Sequence, residues 1–132
     1  MSISDAGGRA NDFETWLVAE FAARRSFTAL VILVEIGETK VTPLSSTYLS
    51  VIGDEVGWLE ILALFSGARV AWDGAAFFAV AAPEGGPLAN EAARIKLREL
   101  EQQVKADRLT LNRGHFFDKQ GRRLMIEEAP VQ

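Results

Sequence analysis

A run of ten residues from Phe27 to Ile36 constrains the fold more than any other part of the sequence. Only Thr28 and Glu35 in this run are polar, and β-branched residues are frequent. Continuous apolar runs of this kind are typical of strands that are covered on both faces. The run is about half as long as the ~20 residues that a membrane-spanning helix needs. The sequence therefore predicts a central, buried strand.

One helix is predicted before this strand and another after it. The first begins at Asn11, because Asn11 and Glu14 have the spacing of a capping box. Its apolar stripe consists of Phe13, Trp16, Leu17 and Phe21. The second helix is predicted over Glu55–Phe65, with Asp54 as its N-cap and Gly67 as its stop. Since this second helix is apolar nearly all round, we expect it to be deeply buried or to lie at an interface.

The dipeptide Asp73-Gly74 predicts a tight turn in the middle of the chain. It lies between two apolar runs, residues 69–72 and 75–82, and Asp-Gly in this position favours a type I′ turn with positive φ at both residues. We therefore expect a β-hairpin here. After it, Pro87 suits the first turn of a third helix that runs to about Asp107.

The remaining strands are predicted at the two ends of the sheet. Residues 109–117 and 122–128 favour two strands, with Gly121 supplying positive φ in the loop between them. Between Glu38 and Ile52 we expect a short edge strand, because Pro43 cannot donate a hydrogen bond to a sheet ladder.

This order of elements predicts an α+β fold with a predominantly antiparallel sheet and three helices. The order matches a ferredoxin-like βαββαβ arrangement, with helices on one face of the sheet and with an extra N-terminal helix and C-terminal strand. We expect a single α+β domain over residues 11–128. Residues 1–10 and 129–132 are predicted to be flexible termini.

The composition excludes several kinds of site. The chain of 132 residues contains no cysteine and one histidine, so thiolate nucleophiles and cysteine-ligated metals are excluded. Neither phosphate-binding glycine loops nor the motifs of metalloproteases and serine hydrolases are present. We therefore expect no metal and no cofactor.

The charge distribution bears on partners and location. The net charge is −4 and the pI is about 5.0, which argues against nucleic acids and anionic membranes as partners. Six of the fourteen lysines and arginines lie in residues 105–123, as expected for a solvated hairpin. Residues 1–10 lack the basic start and apolar run of a signal peptide, so we expect a cytoplasmic location. The excess of arginine over lysine suggests a GC-rich bacterial genome.

A few ionisable side chains are candidates for catalysis. His115 is the only histidine and could act as a general base or pH switch, with Arg113 on the same face of its predicted strand and Asp118 on the other. Glu60 and Glu20 have apolar neighbours, and burial would raise the pKa of such a carboxyl. Alternatively, each marks the solvent-facing side of its helix.

Two phenylalanine pairs indicate that the sheet has aromatic side chains on both faces. Within Phe77-Phe78 and Phe116-Phe117, successive side chains point in opposite directions, so one of each pair enters the core and the other needs cover. A helix, a second subunit or a protein partner could provide this cover. Trp58 is the helix residue that we expect nearest to such an interface.

Two functional hypotheses follow. The first is a non-enzymatic protein-interaction or regulatory module, a homodimer, because catalytic motifs are missing and aromatic residues on strand faces are abundant. The alternative is a small-molecule-binding or enzymatic domain whose pocket uses His115, Arg113 and possibly Glu60. The candidate ligand- or partner-binding residues are Trp58, Phe78, Arg113, His115, Phe116 and Arg122.

Overall fold

A four-stranded antiparallel sheet forms the middle layer of the structure, a computed structural model that describes residues 10–127. In chain order the elements are α1 (Asp12–Arg24), β1 (Phe27–Ile36), β2 (Val41–Val51), α2 (Trp58–Ser66), β3 (Gly74–Val80), α3 (Asn90–Ala106), a 3₁₀ helix (Arg108–Arg113) and β4 (His115–Asp118). The strand order across the sheet is β2-β1-β3-β4, and every neighbouring pair is antiparallel. The predicted mixture of helices with an antiparallel sheet is confirmed.

The ferredoxin-like order is not found in residues 10–127. The chain runs helix-strand-strand-helix-strand-helix and, after the 3₁₀ helix, ends in the last strand. The prediction counted residues 69–72 and 109–113 as strand, and neither segment pairs in the sheet. Helices also cover both faces of the sheet rather than one, which gives three layers.

β1 is the central strand, as its apolar sequence predicts. It pairs with β2 on one side and β3 on the other, and its first eight residues, 27–34, are buried. Thr28 is the polar exception, and its hydroxyl oxygen accepts a hydrogen bond from the Leu88 backbone N–H at 2.9 Å. Its burial therefore leaves no unsatisfied hydroxyl acceptor in the core.

α1 and α2 cover one face of the sheet and enclose a core rich in aromatic rings, which we call the aromatic core. Odd-numbered residues of β1 point into it, because side chains alternate along a strand. Its buried rings are Phe13, Trp16, Phe27, Trp58, Phe65, Trp72, Phe77 and Phe117. The ring centroids of Phe13 and Phe77 are 5.0 Å apart, within the usual range for interacting aromatic pairs.

α3 and the 3₁₀ helix cover the opposite face and enclose a smaller core, which we call the aliphatic core. Its buried residues are Leu30, Ile32, Val34, Ala76, Leu100, Val104, Leu111 and Phe116. Phe116 is the only aromatic residue among them. Phe78, Val80 and Leu97 pack against this core and are partly exposed.

The carboxylate of Glu14 joins the N-termini of the two helices over the aromatic core. The predicted capping box is confirmed, since Asn11 accepts from the Glu14 N–H at 2.9 Å and Glu14 Oε1 accepts from the Asn11 N–H at 3.2 Å. Glu14 Oε2 also accepts from the Trp58 backbone N–H at 2.8 Å. A negative charge at helix N-termini is favourable because the N–H groups there are unpaired.

The predicted hairpin turn at Asp73-Gly74 is wrong. Neither residue has positive φ, and Gly74 begins β3, paired with Val34 on one side and Asp118 on the other. Asp73 accepts a hydrogen bond from the Ile36 N–H at 2.8 Å through its carboxylate. Gly74 is required for a different reason, because a Cβ there would lie 2.7 Å from the Phe116 ring.

The last hairpin is confirmed at its turn and is shorter than predicted. Gly121 has φ of +76°, and a Cβ at this position would overlap with the Asn11 side chain. Among the described residues of the predicted second strand, 122–127, only Arg123 forms a bridge, with Phe117. Residues 108–113 form a 3₁₀ helix because Asp107 accepts from the Leu109 N–H and caps it.

β2 is an edge strand, as predicted, but with eleven residues it is not short. Its pairing with β1 shifts register between Leu33 and Val34, so Pro43 is accommodated at an irregularity. α2 begins at Trp58 rather than Glu55, because the Glu60 side chain accepts from the Gly57 N–H at the helix start.

The two flexible ends predicted at residues 1–10 and 129–132 lie outside the described residues, apart from Ala10. The single-domain boundary at residues 11–128 stays a prediction. Among the described residues, no helix has both the length and the apolar character needed to cross a membrane.

Candidate functional site

His115 lies on β4 at the border of the aromatic core. Its ring stacks on Trp16, with centroids 4.9 Å apart and an interplanar angle of 27°. Arg123 Nη1 donates to His115 Nδ1 at 3.2 Å. Since a guanidinium can only donate, Nδ1 is the acceptor and the single proton of the neutral ring is on Nε2.

The surroundings of His115 lower its pKa below the ordinary value of 6.5. The largest cause is burial, which disfavours the charged ring, and the second is the positive charge of Arg123. The carboxylate of Glu20 acts in the opposite direction with a smaller effect. The imidazole is therefore neutral at pH 7, with Nδ1 already engaged by Arg123.

Glu20 is committed to contacts within and around α1. Its Oε1 accepts from the Trp16 indole N–H at 3.2 Å, and its Oε2 forms an ion pair with Arg24. These contacts hold the indole on which His115 stacks. Glu20 therefore positions the ring stack, and neither carboxylate oxygen is left without a partner.

Glu60 has a different role from His115 and contacts different groups. It is exposed on α2 and caps the helix by accepting from the Gly57 N–H at 3.2 Å. Among the described residues it shares no hydrogen bond or ion pair with His115. Of the two alternatives, Glu60 therefore marks the solvent-facing side of its helix.

Trp58, the residue expected nearest an interface, is enclosed by its own chain. It is 4% exposed, its ring lies 4.8 Å from that of Phe13, and its indole N–H donates to the Lys119 carbonyl at 2.7 Å. The outward side of α2 instead carries Leu59 and Leu64, which are 80% and 62% exposed. The apolar side chains that α2 exposes to water are therefore these leucines and not the tryptophan.

Phe78 and Phe116, which needed cover according to the sequence, obtain it from the same chain. Both point to the face covered by α3 and the 3₁₀ helix, and Phe116 is buried in the aliphatic core. Of the three kinds of cover that the sequence left open, helices of the same chain provide it on this face. The two arginines are on the surface, where Arg122 pairs with Asp118 at 2.8 Å and Arg113 is exposed.

A cleft of about 490 Å³ opens at one end of the sheet, on the side of the aliphatic core. Its wall includes the β1–β2 turn, which is closed by a hydrogen bond from the Gly37 N–H to the Lys40 carbonyl at 2.9 Å. The other lining residues come from the start of the 3₁₀ helix, from β4 and from residues 124–127. Of the sequence candidates, only Phe116 lines it.

The other residues of this cleft carry no sequence pattern that marks a binding site. Ile36 and Met125, both exposed, and the half-buried Arg108 come from segments far apart in sequence. The one local signal is an apolar residue, Ile36, directly before the turn glycine Gly37. This pattern is common in edge hairpins and is too unspecific to indicate a binding site.

Comparisons with known proteins do not identify a function for the chain. No protein-family model, no curated protein and no solved structure matches the chain. Within residues 10–127, no group of three or more histidine, aspartate or glutamate side chains is placed to hold a metal ion.

Proposed function

We propose that the chain is a non-enzymatic protein-interaction module that forms a homodimer by pairing the outer edges of two β2 strands. The first support for this proposal comes from the positions of the ionisable candidate residues. The alternative, a pocket built from His115, Arg113 and Glu60, has no geometric support, because none of the three lines the cleft. His115 and Glu60 instead have structural partners, Arg123 and the Gly57 N–H.

The main observation behind the proposal is the uncharged outer edge of β2. The eleven residues from Val41 to Val51 include no charged side chain, and within residues 10–127 no strand pairs with their outer edge. Edge strands are usually protected by charges, shortness, proline or bulges, because their free N–H and C=O groups can pair with another chain. Pro43 and the neighbouring register shift protect one end only, so Ser45–Val51 remains regular and open.

A second copy of the chain is the partner that fits this edge. An antiparallel pairing about Thr47 would place Lys40 of one copy opposite Asp54 of the other, at both ends of the neutral strand. Opposite charges would then flank the ladder, and no like charges would face each other within it. The pairing would extend each four-stranded sheet into a continuous eight-stranded one.

The proposal predicts that a lysine at the centre of this edge splits the dimer. Thr47 is exposed, so Thr47→Lys leaves both cores unchanged while placing two positive charges face to face across the twofold axis. Sedimentation equilibrium at micromolar concentration should give a dimer for the native chain and a monomer for Thr47→Lys. The matched control is Thr15→Lys, an exposed threonine on α1, which should remain a dimer.

Two results would overturn this assignment. A native monomer throughout the micromolar range would exclude stable self-association. A dimer that Thr47→Lys leaves intact would place the interface elsewhere, and Leu59→Asp would then test the exposed leucines of α2. Slower amide hydrogen exchange in Ser45–Val51 at high than at low protein concentration would locate the pairing in β2 directly.

A further inference from the structure

The cleft at the end of the sheet has the size of a small-molecule site. Its volume of about 490 Å³ falls within the range of roughly 300–1,000 Å³ that is usual for ligand pockets. The cleft shares only Lys40 and Val41 with the edge proposed to pair in the dimer, since its other lining residues come from positions 36–39, the 3₁₀ helix, β4 and residues 124–127. The inference that follows does not depend on the dimer.

Half of the residues that line the cleft are apolar. The apolar side chains that line it are Ile36, Val41, Phe116, Leu124, Met125 and Ile126. Ile36 and Met125 are 40% and 75% exposed, so the cleft offers apolar surface to any molecule that enters it. Burial of this surface by a ligand would be favourable, because it removes apolar atoms from water.

Gly74 keeps the Phe116 ring in the position that this wall requires. A Cβ at Gly74 would lie 2.7 Å from Phe116 Cε1 and 3.4 Å from Ile36 Cδ1. The bare glycine therefore lets the phenylalanine ring lie against β3, beside Ile36. A larger residue at Gly74 would displace the ring and reshape the cleft.

The charged residues that line the cleft differ in how far they are exposed to water. Glu38, Lys40 and Glu127 are exposed, whereas Arg108 is half-buried. No carboxylate of residues 10–127 lies within ion-pair distance of Arg108, and the neighbouring Asp107 accepts from the Leu109 N–H instead. A charge on a partly buried residue is screened less by water than an exposed one, so Arg108 is the lining charge expected to attract its counter-ion most strongly.

We propose that the cleft binds a small amphipathic carboxylate, whose apolar body lies against Ile36, Phe116 and Met125 and whose carboxylate pairs with Arg108. The planar guanidinium can donate two parallel hydrogen bonds to such a group. Lys40, which is exposed, adds a second positive charge to the lining of the cleft. A cationic amphiphile would meet the positive charge of Arg108, offset only by the exposed carboxylates of Glu38 and Glu127.

The probes for this proposal are three molecules with the same ten-carbon chain: decanoate, decanol and decyltrimethylammonium. Titration of the full chain, followed by isothermal calorimetry and by NMR shifts of Ile36 and Met125, should show the tightest binding for decanoate. We expect decanoate to bind at least about tenfold more tightly than decanol, as one charge-assisted interaction provides. Equal affinity for the two, or preference for the cation, would overturn the proposal.

Substitution of the arginine tests the anion contact separately from the apolar wall. Arg108→Gln should weaken decanoate binding about tenfold and leave decanol binding unchanged. Arg113→Gln is the matched control, because Arg113 is an exposed arginine at the other end of the same 3₁₀ helix and does not line the cleft. Unchanged decanoate affinity in Arg108→Gln, with a native melting temperature, would contradict the assignment.

Discussion

The two faces of the sheet are covered to different degrees. On one face, α1 and α2 close over the aromatic core, and the space bounded by Phe13, Ala29 and Ile61 has a volume of only about 10 Å³. On the other, α3 and the 3₁₀ helix cover the aliphatic core and leave the cleft of about 490 Å³ at one end. Large interlocking rings therefore seal one face, whereas the smaller side chains and shorter cover of the other leave room for a ligand.

The same difference determines where titratable groups can act. His115 borders the closed aromatic face, where Trp16 and Arg123 already occupy its ring face and Nδ1. Arg108 borders the open aliphatic face and keeps its guanidinium without an acidic partner in the described part of the chain. The more conspicuous residue in the sequence is thus the less available one in the structure.

The largest loss of stability is expected from a substitution that creates a cavity in the aromatic core. Trp58→Ala should lower the free energy of unfolding by about 3–5 kcal/mol, because it creates a cavity among several rings. It also leaves the Lys119 carbonyl without its indole donor. Urea denaturation measures the loss.

The aliphatic counterpart of this substitution is Leu100→Ala, which should cost about 2–3 kcal/mol, since Leu100 is 7% exposed and borders a less crowded core. If Leu100→Ala destabilised the protein more than Trp58→Ala, the two faces would not differ in packing as described.

A smaller effect is expected where β3 separates the two faces. Gly74→Val should destabilise the fold by about 1–3 kcal/mol, because its side chain would overlap with the Phe116 ring. The cost comes from overpacking and not from a turn with positive φ. Gly74→Val in a Phe116→Ala background should therefore recover part of the stability, whereas strain in a turn would persist in the double variant.

The smallest effect is the pH dependence contributed by His115. Its folded pKa is lowered, so the unfolded chain binds the proton more tightly than the folded chain does. The histidine's contribution to stability is therefore fully present above about pH 6.5, the unfolded pKa, and is lost as the pH falls towards the folded pKa. Urea denaturation of the native chain and of His115→Gln at several pH values isolates this contribution, and parallel curves would contradict it.

Local signals in the sequence determined several elements correctly. The capping box of Asn11 and Glu14 predicts the start of α1 because its hydrogen bonds join residues three apart. The apolar run from Phe27 predicts the central strand, and Gly121 predicts a turn with positive φ. Each of these features depends on neighbours in the sequence, so a linear pattern contains the necessary information.

Other predictions failed where distant residues decide the local conformation. Asp73-Gly74 has the sequence of a type I′ turn, yet Asp73 binds the Ile36 N–H and Gly74 accommodates Phe116, so the segment enters the sheet. The alternation of Leu109 and Leu111 with polar residues has the pattern of a strand, but this segment is a 3₁₀ helix capped by Asp107. Tertiary contacts outweigh propensities that amount to about 1 kcal/mol or less.

The sequence by itself determined the capped start of α1, the buried strand β1 and the edge position of β2, because a capping box, an unbroken apolar run and a proline are properties of the chain alone. Only the tertiary structure decided which aromatic residues are covered by the chain itself and which charges meet in a cleft. Trp58 became a core residue through rings from four other segments, and Arg108 joined Ile36 and Met125 across long sequence separations. These contacts between distant residues depend on how the helices pack on the sheet. That packing is determined by residues throughout the chain.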